Sequence, residues 1–411
     1  MRVPIPRGRI SHHIREDLAW FARAMVSDLS DRKLVAQFEN SFSEYVGLKH
    51  AIAFPFARTG IHAILKSLNL PPDSIVLMPP ITIKPILDVV LSLNLKPLFV
   101  DINPSTVCFD QSELQEATRA APRVAILTYL FGIVPDVEQI CKILRDADVF
   151  IIEDFSQCLN GEFRGRRMGT FGDVGVYSAS SVKTLDTYGG GLVVTSNEEL
   201  AKSLRKAQEK LSRPSRIRLM RKIFTDLVRN LASQPLVFTI ATFPLIRLLA
   251  KRGNSEFTKF TGDRDRNPLQ EIPRQWFESY TSVQAAVGLQ QLKQVDSKDK
   301  KRIAAISELN SLHNFTDRPT GADGGSNIYW QYIVYADEFK HFQQELFSQN
   351  IDCATTSLVK VSGLEKYPYQ AVTPNADRLF TNGVYLPCYH QLTKSQRKRI
   401  GAALSKLAQT L

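Results

Sequence analysis

Apolar residues recur at three- and four-residue spacing over Ala19–Val26 and again over Leu34–Tyr45, the period of helices that bury one face. From about residue 50 the pattern changes. Short, nearly continuous apolar runs at Ala51–Phe54, Ile75–Met78, Leu98–Asp101, Val124–Leu130, Val149–Asp154, Val174–Ala179 and Gly191–Thr195 read as strands. Between them, Gly60–Leu68, Pro85–Leu93, Asp136–Arg145 and Asn197–Glu209 read as helices. This alternation implies βαβ crossovers and an α/β fold whose central sheet is mostly parallel and covered on both faces. Further on, Ser282–Val295 reads as a long helix running towards Leu312 with a break near Asp296. The remainder mixes a strand (Tyr329–Tyr335), a helix (Asp337–Ser348), a short strand near Ile351 and a final helix (Lys394–Leu411). The expected division is an N-terminal segment with a large α/β domain (1–200), a helical insert (201–270), and a long helix with a smaller α+β domain (271–411).

With 44% hydrophobic and 23% charged residues in 411, the composition is that of a globular protein and excludes disordered, collagen-like and coiled-coil classes. Cys108, Cys141, Cys158, Cys353 and Cys388 form no CxxC pair and read as reduced thiols. The start, MRVPIPRGRISHHIRED, lacks the apolar run of a secretory leader, so a cytoplasmic location is expected. No histidine pair has HxH or HxxxH spacing, so no metal site is expected; His62 reads as packing.

Charge changes the picture in one place. Between Ala201 and Gly253 stand 13 Lys/Arg against Glu209 and Asp226, so this stretch carries the whole net charge of +11. Inside it, Asn230–Ile246 has no charged residue but is broken by Pro235 and Pro244. That run falls short of the ~20 apolar residues a spanning helix needs. Two readings stand for residues 213–252: a peripheral segment lying in a bilayer interface beside anionic headgroups, at the inner membrane, or a hairpin packed on its own protein or a subunit partner. Nucleic acid is not an expected partner, because no stacking platform or groove-reading motif accompanies the charge.

Ligands of open α/β sheets gather at the carboxyl ends of strands. Asp154 ends VFIIEDF, with Gln157 three residues on; it is either a structural cap or ion pair, or an acid for a cationic ligand atom such as a protonated pyridine nitrogen. Lys183 follows hydroxyls at Ser178, Ser180 and Ser181 and precedes Gly189–Gly191. It is either a solvated loop lysine or an amine held in a cleft, able to form a Schiff base. Ala57-Arg58-Thr59-Gly60, between strand and helix, is either a plain turn with Thr59 as its cap or an anion site.

The ordered set FENSFSEYVGLKHAIAF, ARTGI, IVLMPPITI, KPLFVDINPST, LTYLFG, IIEDFSQ, GEFRGRRMGTFGDVGVYS, SVQAAVGLQQL and VYLPCYHQLT resembles the DegT/DnrJ/EryC/StrS family of sugar aminotransferases. The resemblance covers nearly the whole chain outside the insert. It implies pyridoxal phosphate (PLP) fold type I and a homodimer. The implied reaction converts a keto sugar, expected to be nucleotide-linked, to an amino sugar with L-glutamate as donor, in cell-surface polysaccharide or related sugar biosynthesis. It assigns Lys183 to the Schiff base, Asp154 to the pyridine nitrogen and Gln157 to the side of the ring hydroxyl. Ser178, Ala57, Arg58 and Thr59 fall to the phosphate, and Ile83 to the position over the ring. Three positions depart from the family: Arg58 replaces a common Gly, Ile83 an aromatic residue, and Phe277-Glu278-Ser279 an Asn-Tyr-Arg element. The alternatives are another PLP reaction on the same fold, such as dehydration, and a catalytically impaired membrane-surface protein that has kept it.

Overall fold

Hydrophobic runs become strands where both faces can be covered. The computed structural model describes residues 3–180, 182–252, 267–269 and 271–410. Helices α1 (Ile14–Val26) and α2 (Arg32–Val46) precede β1 (His50–Phe54). Then come α3 (Ala57–Ser67), β2 (Ile75–Met78), β3 (Ile81–Thr82), α4 (Lys84–Ser92), β4 (Lys96–Phe99), α5 (Gln111–Thr118), β5 (Val124–Thr128) and α6 (Val137–Asp146). They are followed by β6 (Phe150–Asp154), the hairpin β7 (Glu162–Phe163) and β8 (Arg166–Arg167), β9 (Val174–Ser178), β10 (Gly191–Thr195), α7 (Glu198–Glu209) and α8 (Arg216–Ala232).

The central sheet has seven strands in the order β1-β10-β9-β6-β5-β2-β4, and only β10 runs antiparallel to its neighbours. Side chains alternate across it. Ala53, Leu127, Ile151 and Tyr177 pack in one apolar layer with Phe38 and Phe42 of α2. Phe54, Ile126, Ile152 and Val176 pack in the other with Ile61 and Ile64 of α3. Register then sets the site: Thr128 lies beside Asp154, Asp154 beside Val176, and Ser178 opposite Gly191. One edge therefore holds the ends of β5, β6 and β9 and the start of β10.

Several boundaries differ from the periodicity for local reasons. The strand predicted to reach Leu130 stops at Thr128, because Tyr129–Ile133 turns through Phe131 at φ 59°. The long helix breaks at Lys293–Gln294, giving Ser282–Leu292 and Val295–Asn310. The strand expected from Tyr329 begins at Tyr332, since Tyr329 sits at φ 47°. Ile351 makes a single bridge to Ile5, and the strand there is Ala354–Thr355. Helix α1 starts five residues earlier than predicted, with the Glu16 carboxylate accepting from the His13 N–H at 2.9 Å.

The basic insert is a closed excursion. Ser212 donates its N–H to the Phe277 carbonyl (2.9 Å) and accepts from the Ser279 N–H (2.8 Å), tying its two ends together. Helix α8 packs Leu219 and Ile223 against Trp20 and Ala24 of α1 and against Tyr188. A 65° bend separates it from Pro235–Lys251, whose Phe238 and Phe243 bury against Phe347 and Ile5. So the hairpin reading holds for one face. The other face leaves Ile217 (71% exposed), Phe224 (54%), Leu236 (71%) and Ile240 (68%) in solvent. Among the described residues no single helix is long and apolar enough to cross a membrane.

Candidate active site

At the carboxyl edge of the sheet opens a cavity of ≈ 430 Å³, within the range of cofactor sites. Asp154, Gln157, Ser178, Lys183, Ala57, Arg58 and Ile83 all line it. Thr59 does not: its hydroxyl donates to the Trp276 carbonyl (2.7 Å), tying α3 to the end of the insert. Ser181 lies outside the described residues.

Asp154 ends β6 with its carboxylate accepting from the Ser156 N–H (3.0 Å). Burial raises its pKa, opposed by the Ser156 bonds and the Lys183 charge. A desolvated carboxylate of this kind gains most from a cationic N–H donor. Gln157 accepts the Phe131 N–H through its Oε1 (2.7 Å), which orients its NH₂ as the donor end. The neighbouring Thr128 hydroxyl is buried on the cavity wall with no hydrogen-bond partner among the described residues.

Lys183 stands in a loop of unusual backbone. Val182 (φ 67°) and Tyr188 (φ 58°) are in the left-handed region, which is strained for β-branched and bulky residues. Asp186 holds that shape by accepting from the N–H groups of Val182 (3.2 Å) and Tyr188 (2.9 Å). The indole N–H of Trp330 donates to the Val182 carbonyl (2.8 Å), and the Lys183 amine lies 3.9 Å from the centre of a Trp330 ring. Burial pushes that amine down to about 8, and the Asp154 charge only partly opposes it.

Behind the loop is a buried polar network. Asp17 accepts from the Tyr188 hydroxyl (2.6 Å) and Asn230 (2.8 Å), and His12 bridges Asp17 (3.3 Å) and the Asp186 carbonyl (3.0 Å). It joins α1, the lysine loop and α8.

The far wall is cationic. The Arg58 guanidinium lies between the rings of Phe56 (4.2 Å) and Trp276 (4.4 Å). Helix α8 adds Arg218, Arg221, Lys222, Asp226 and Arg229. The Lys222 ammonium sits 4.4 Å over the Phe56 ring, pushed down to about 8 by burial and by Arg58 and Arg218. The Ser178 and Ser180 hydroxyls are 3.0 Å apart. Ile83, 41% exposed, caps the start of α4 at the mouth. His62 packs edge-on to Phe277 (5.2 Å), and burial pushes its pKa down to about 4, so it is neutral packing.

Sequence reasoning missed Thr128, Trp330, the His12–Asp17 network and the α8 wall. Only the last left a signal: Arg218, Lys222, Asp226 and Arg229 recur at helical spacing on one stripe of α8. The others join segments up to hundreds of residues apart.

A low-pKa amine, a buried acid, orphaned hydroxyl capacity and a cationic wall on one cavity fit PLP: aldehyde, pyridine nitrogen and phosphate each find a chemical complement. This is the site of a PLP-dependent aminotransferase of fold type I. The model of the DegT/DnrJ/EryC1/StrS aminotransferase family matches residues 13–221 and 279–405, and the chain belongs to that family. Its cofactor is PLP. The unmatched 222–278 covers most of the insert. The chain is 26% identical over 389 residues to an uncharacterised protein of Methanocaldococcus jannaschii, covering 90% of this chain and 89% of that one. It is 23% identical to GDP-perosamine synthase of Caulobacter vibrioides (91% and 90% covered). Its fold matches the sugar aminotransferase CalS13 of Micromonospora echinospora, with TM-score 0.74, 19% identity, and 98% and 99% of the chains covered.

Proposed function

We propose that this chain transfers an amino group from L-glutamate to a nucleotide-linked keto sugar for polysaccharide synthesis, working as a cytoplasmic homodimer. The observation that carries the reading is the buried Lys183 amine sharing one cavity with the desolvated Asp154 carboxylate. When bound, PLP supplies a carbonyl carbon that takes up the amino group and a ring that accepts electron density. Asp154 would hold a protonated ring nitrogen, and Gln157 would offer its NH₂ to the ring oxygen. Ser178, Ala57 and Arg58 would take the phosphate, and Ile83, on the same cavity wall, would offer the ring an apolar side chain. The Lys183 amine would hold the cofactor's carbonyl carbon and, when neutral and free, would be the base for the donor's α-proton; a pKa of about 8 keeps a usable neutral fraction near neutrality. A primary amine here supports amino transfer over dehydration. The guanidinium groups of Arg221 and Arg229 on the cavity wall support a donor with two carboxylates. Names among the relatives, GDP-perosamine synthase and a spore coat polysaccharide biosynthesis protein of Bacillus subtilis, support the sugar class.

The test is borohydride reduction of the PLP-loaded protein, then peptide mass spectrometry. Pyridoxyl on Lys183, lost after L-glutamate is added first, is the expected result; label on another lysine, or none, refutes the site. The exposed apolar stripe on α8 and Pro235–Lys251, set among the basic residues of the insert, supports docking on an anionic bilayer. Flotation with phosphatidylglycerol vesicles is expected for the native protein and lost in the triple variant Ile217→Glu, Leu236→Glu, Ile240→Glu. Equal flotation of both removes the membrane contact.

A further inference from the structure

Helix α8 places a lysine on the cavity wall that has no direct ion pair among the described residues. Lys222 lines the same cavity as Ala57, Arg58 and Ser178 but makes no hydrogen bond or ion pair among the described residues; its ammonium lies 4.4 Å over the face of Phe56. The charges around it are mixed, and the repulsive ones act more strongly: Arg58 and Arg218 outweigh the carboxylates of Asp226 and Asp186. Arg58 and Arg218 both repel it, and Asp226, one turn along α8, accepts from Arg229 (3.3 Å). A half-buried ammonium beside a guanidinium is unfavourable by itself and becomes favourable when one anion serves both.

The side chain reaches the lysine loop across the cavity. Gly189 has φ 111°, and a Cβ there would stand 2.3 Å from the Lys222 Nζ. The amino end of α3, an eleven-residue helix, opens beside the same space, with Ala57 and Arg58 in its first turn. A helix start, an ammonium and a guanidinium converging on one end of a cavity make a phosphate cradle.

We propose that Lys222, carried in by the insert, and Arg58 together hold the phosphate of the cofactor, so that the insert completes the cofactor site from within the same chain. This rests on the PLP reading above. Lys222 is the first of the residues 222–278 that lie outside the family match, on a helix whose first six residues lie inside it. The same chemistry could serve a nucleotide diphosphate, and the experiment separates the two.

Apo protein is titrated with PLP, with pyridoxal (which lacks the phosphate), and with UDP and GDP, for the native chain and for Lys222→Met and Lys222→Arg. Binding is followed by quenching of tryptophan fluorescence. The expected result is a loss of PLP affinity of tenfold or more in Lys222→Met, recovery in Lys222→Arg, and unchanged pyridoxal uptake in both. Unchanged pyridoxal uptake also reports that Lys222→Met has folded. Equal PLP affinity in the native and Lys222→Met proteins overturns the proposal, as does loss of UDP or GDP binding with PLP affinity intact. If the native protein takes up neither PLP nor pyridoxal, the PLP reading itself fails, and the proposal with it.

Discussion

Replacing Lys222 by Met in the cofactor-free protein should stabilise it, although Lys222 is proposed as a binding group. Met keeps most of the methylene packing and removes the ammonium. The Lys222 pKa of about 8 lies well below its ordinary 10.5. A gap of that size corresponds to roughly 3 kcal/mol of disfavoured charge, and partial exposure of the side chain reduces the realised effect to about 1–2 kcal/mol. The sign follows from proton binding. Below pH 8 both folded and unfolded chains hold the proton, so the native protein carries the whole cost. Between about 8 and 10.5 the native chain sheds the proton while the unfolded chain keeps it, and native stability recovers. The variant's advantage should therefore be full near pH 7 and vanish as the pH approaches 10.5. Urea denaturation of both apo proteins in phosphate-free buffer at about pH 7, 8.5 and 10 measures it. With saturating PLP the order should reverse, because the bound phosphate turns the ammonium from a cost into a partner. An apo variant less stable than the native protein at pH 7, or an advantage that ignores pH, would refute the reasoning.

Lys183→Ala should lower turnover by at least ~10⁴-fold while leaving the urea midpoint within error, since it removes both the anchoring amine and the base. In the native apo protein, the rate of PLP capture should rise with pH and level off above about 8, where the Lys183 amine is neutral; a stopped-flow pH profile that is flat from 6 to 9 contradicts the placement of Lys183. Asp154→Asn should cut turnover ~10²–10⁴-fold without loss of apo stability, because it replaces a desolvated charge with a neutral isostere; a clear fall in Tm would show that Asp154 is a structural ion-pair member. Gly189→Ala should cost about 1–3 kcal/mol, chiefly because φ 111° is strained for any residue with a Cβ while the Lys222 ammonium can swing aside; an unchanged urea midpoint would contradict that backbone conformation.

Much of the architecture could be read from the chain. Residues 75–78 and 191–195 are strands with the predicted bounds, because a strand buried on both faces must be apolar at nearly every position. The polarity of each strand could not be read so simply: β10 looks like its parallel neighbours in sequence, yet it returns antiparallel through the lysine loop. At the site, Asp154 and Lys183 stood out as a charge ending an apolar run and an amine among serines and glycines. Thr59 belonged to the same short motif as Arg58, and only its hydrogen bond to Trp276, 217 positions away, turns it out of the cavity.

The basic insert divides most sharply along this line. Its charge, its apolar centre and its proline breaks are properties of the residues alone, and they determined that it would be amphipathic, helical and unable to span a membrane in one helix. They leave open which partner each face meets. Packing of Leu219 and Ile223 on α1 decides that, because burying those two side chains rotates the polar stripe of α8 over the cavity. The same rotation turns Ile217 and Phe224 outwards. Local sequence dictates the period of a helix and the character of its faces; direction is settled only when distant segments compete to bury the same apolar stripe, and here that competition carried Lys222 to the active site.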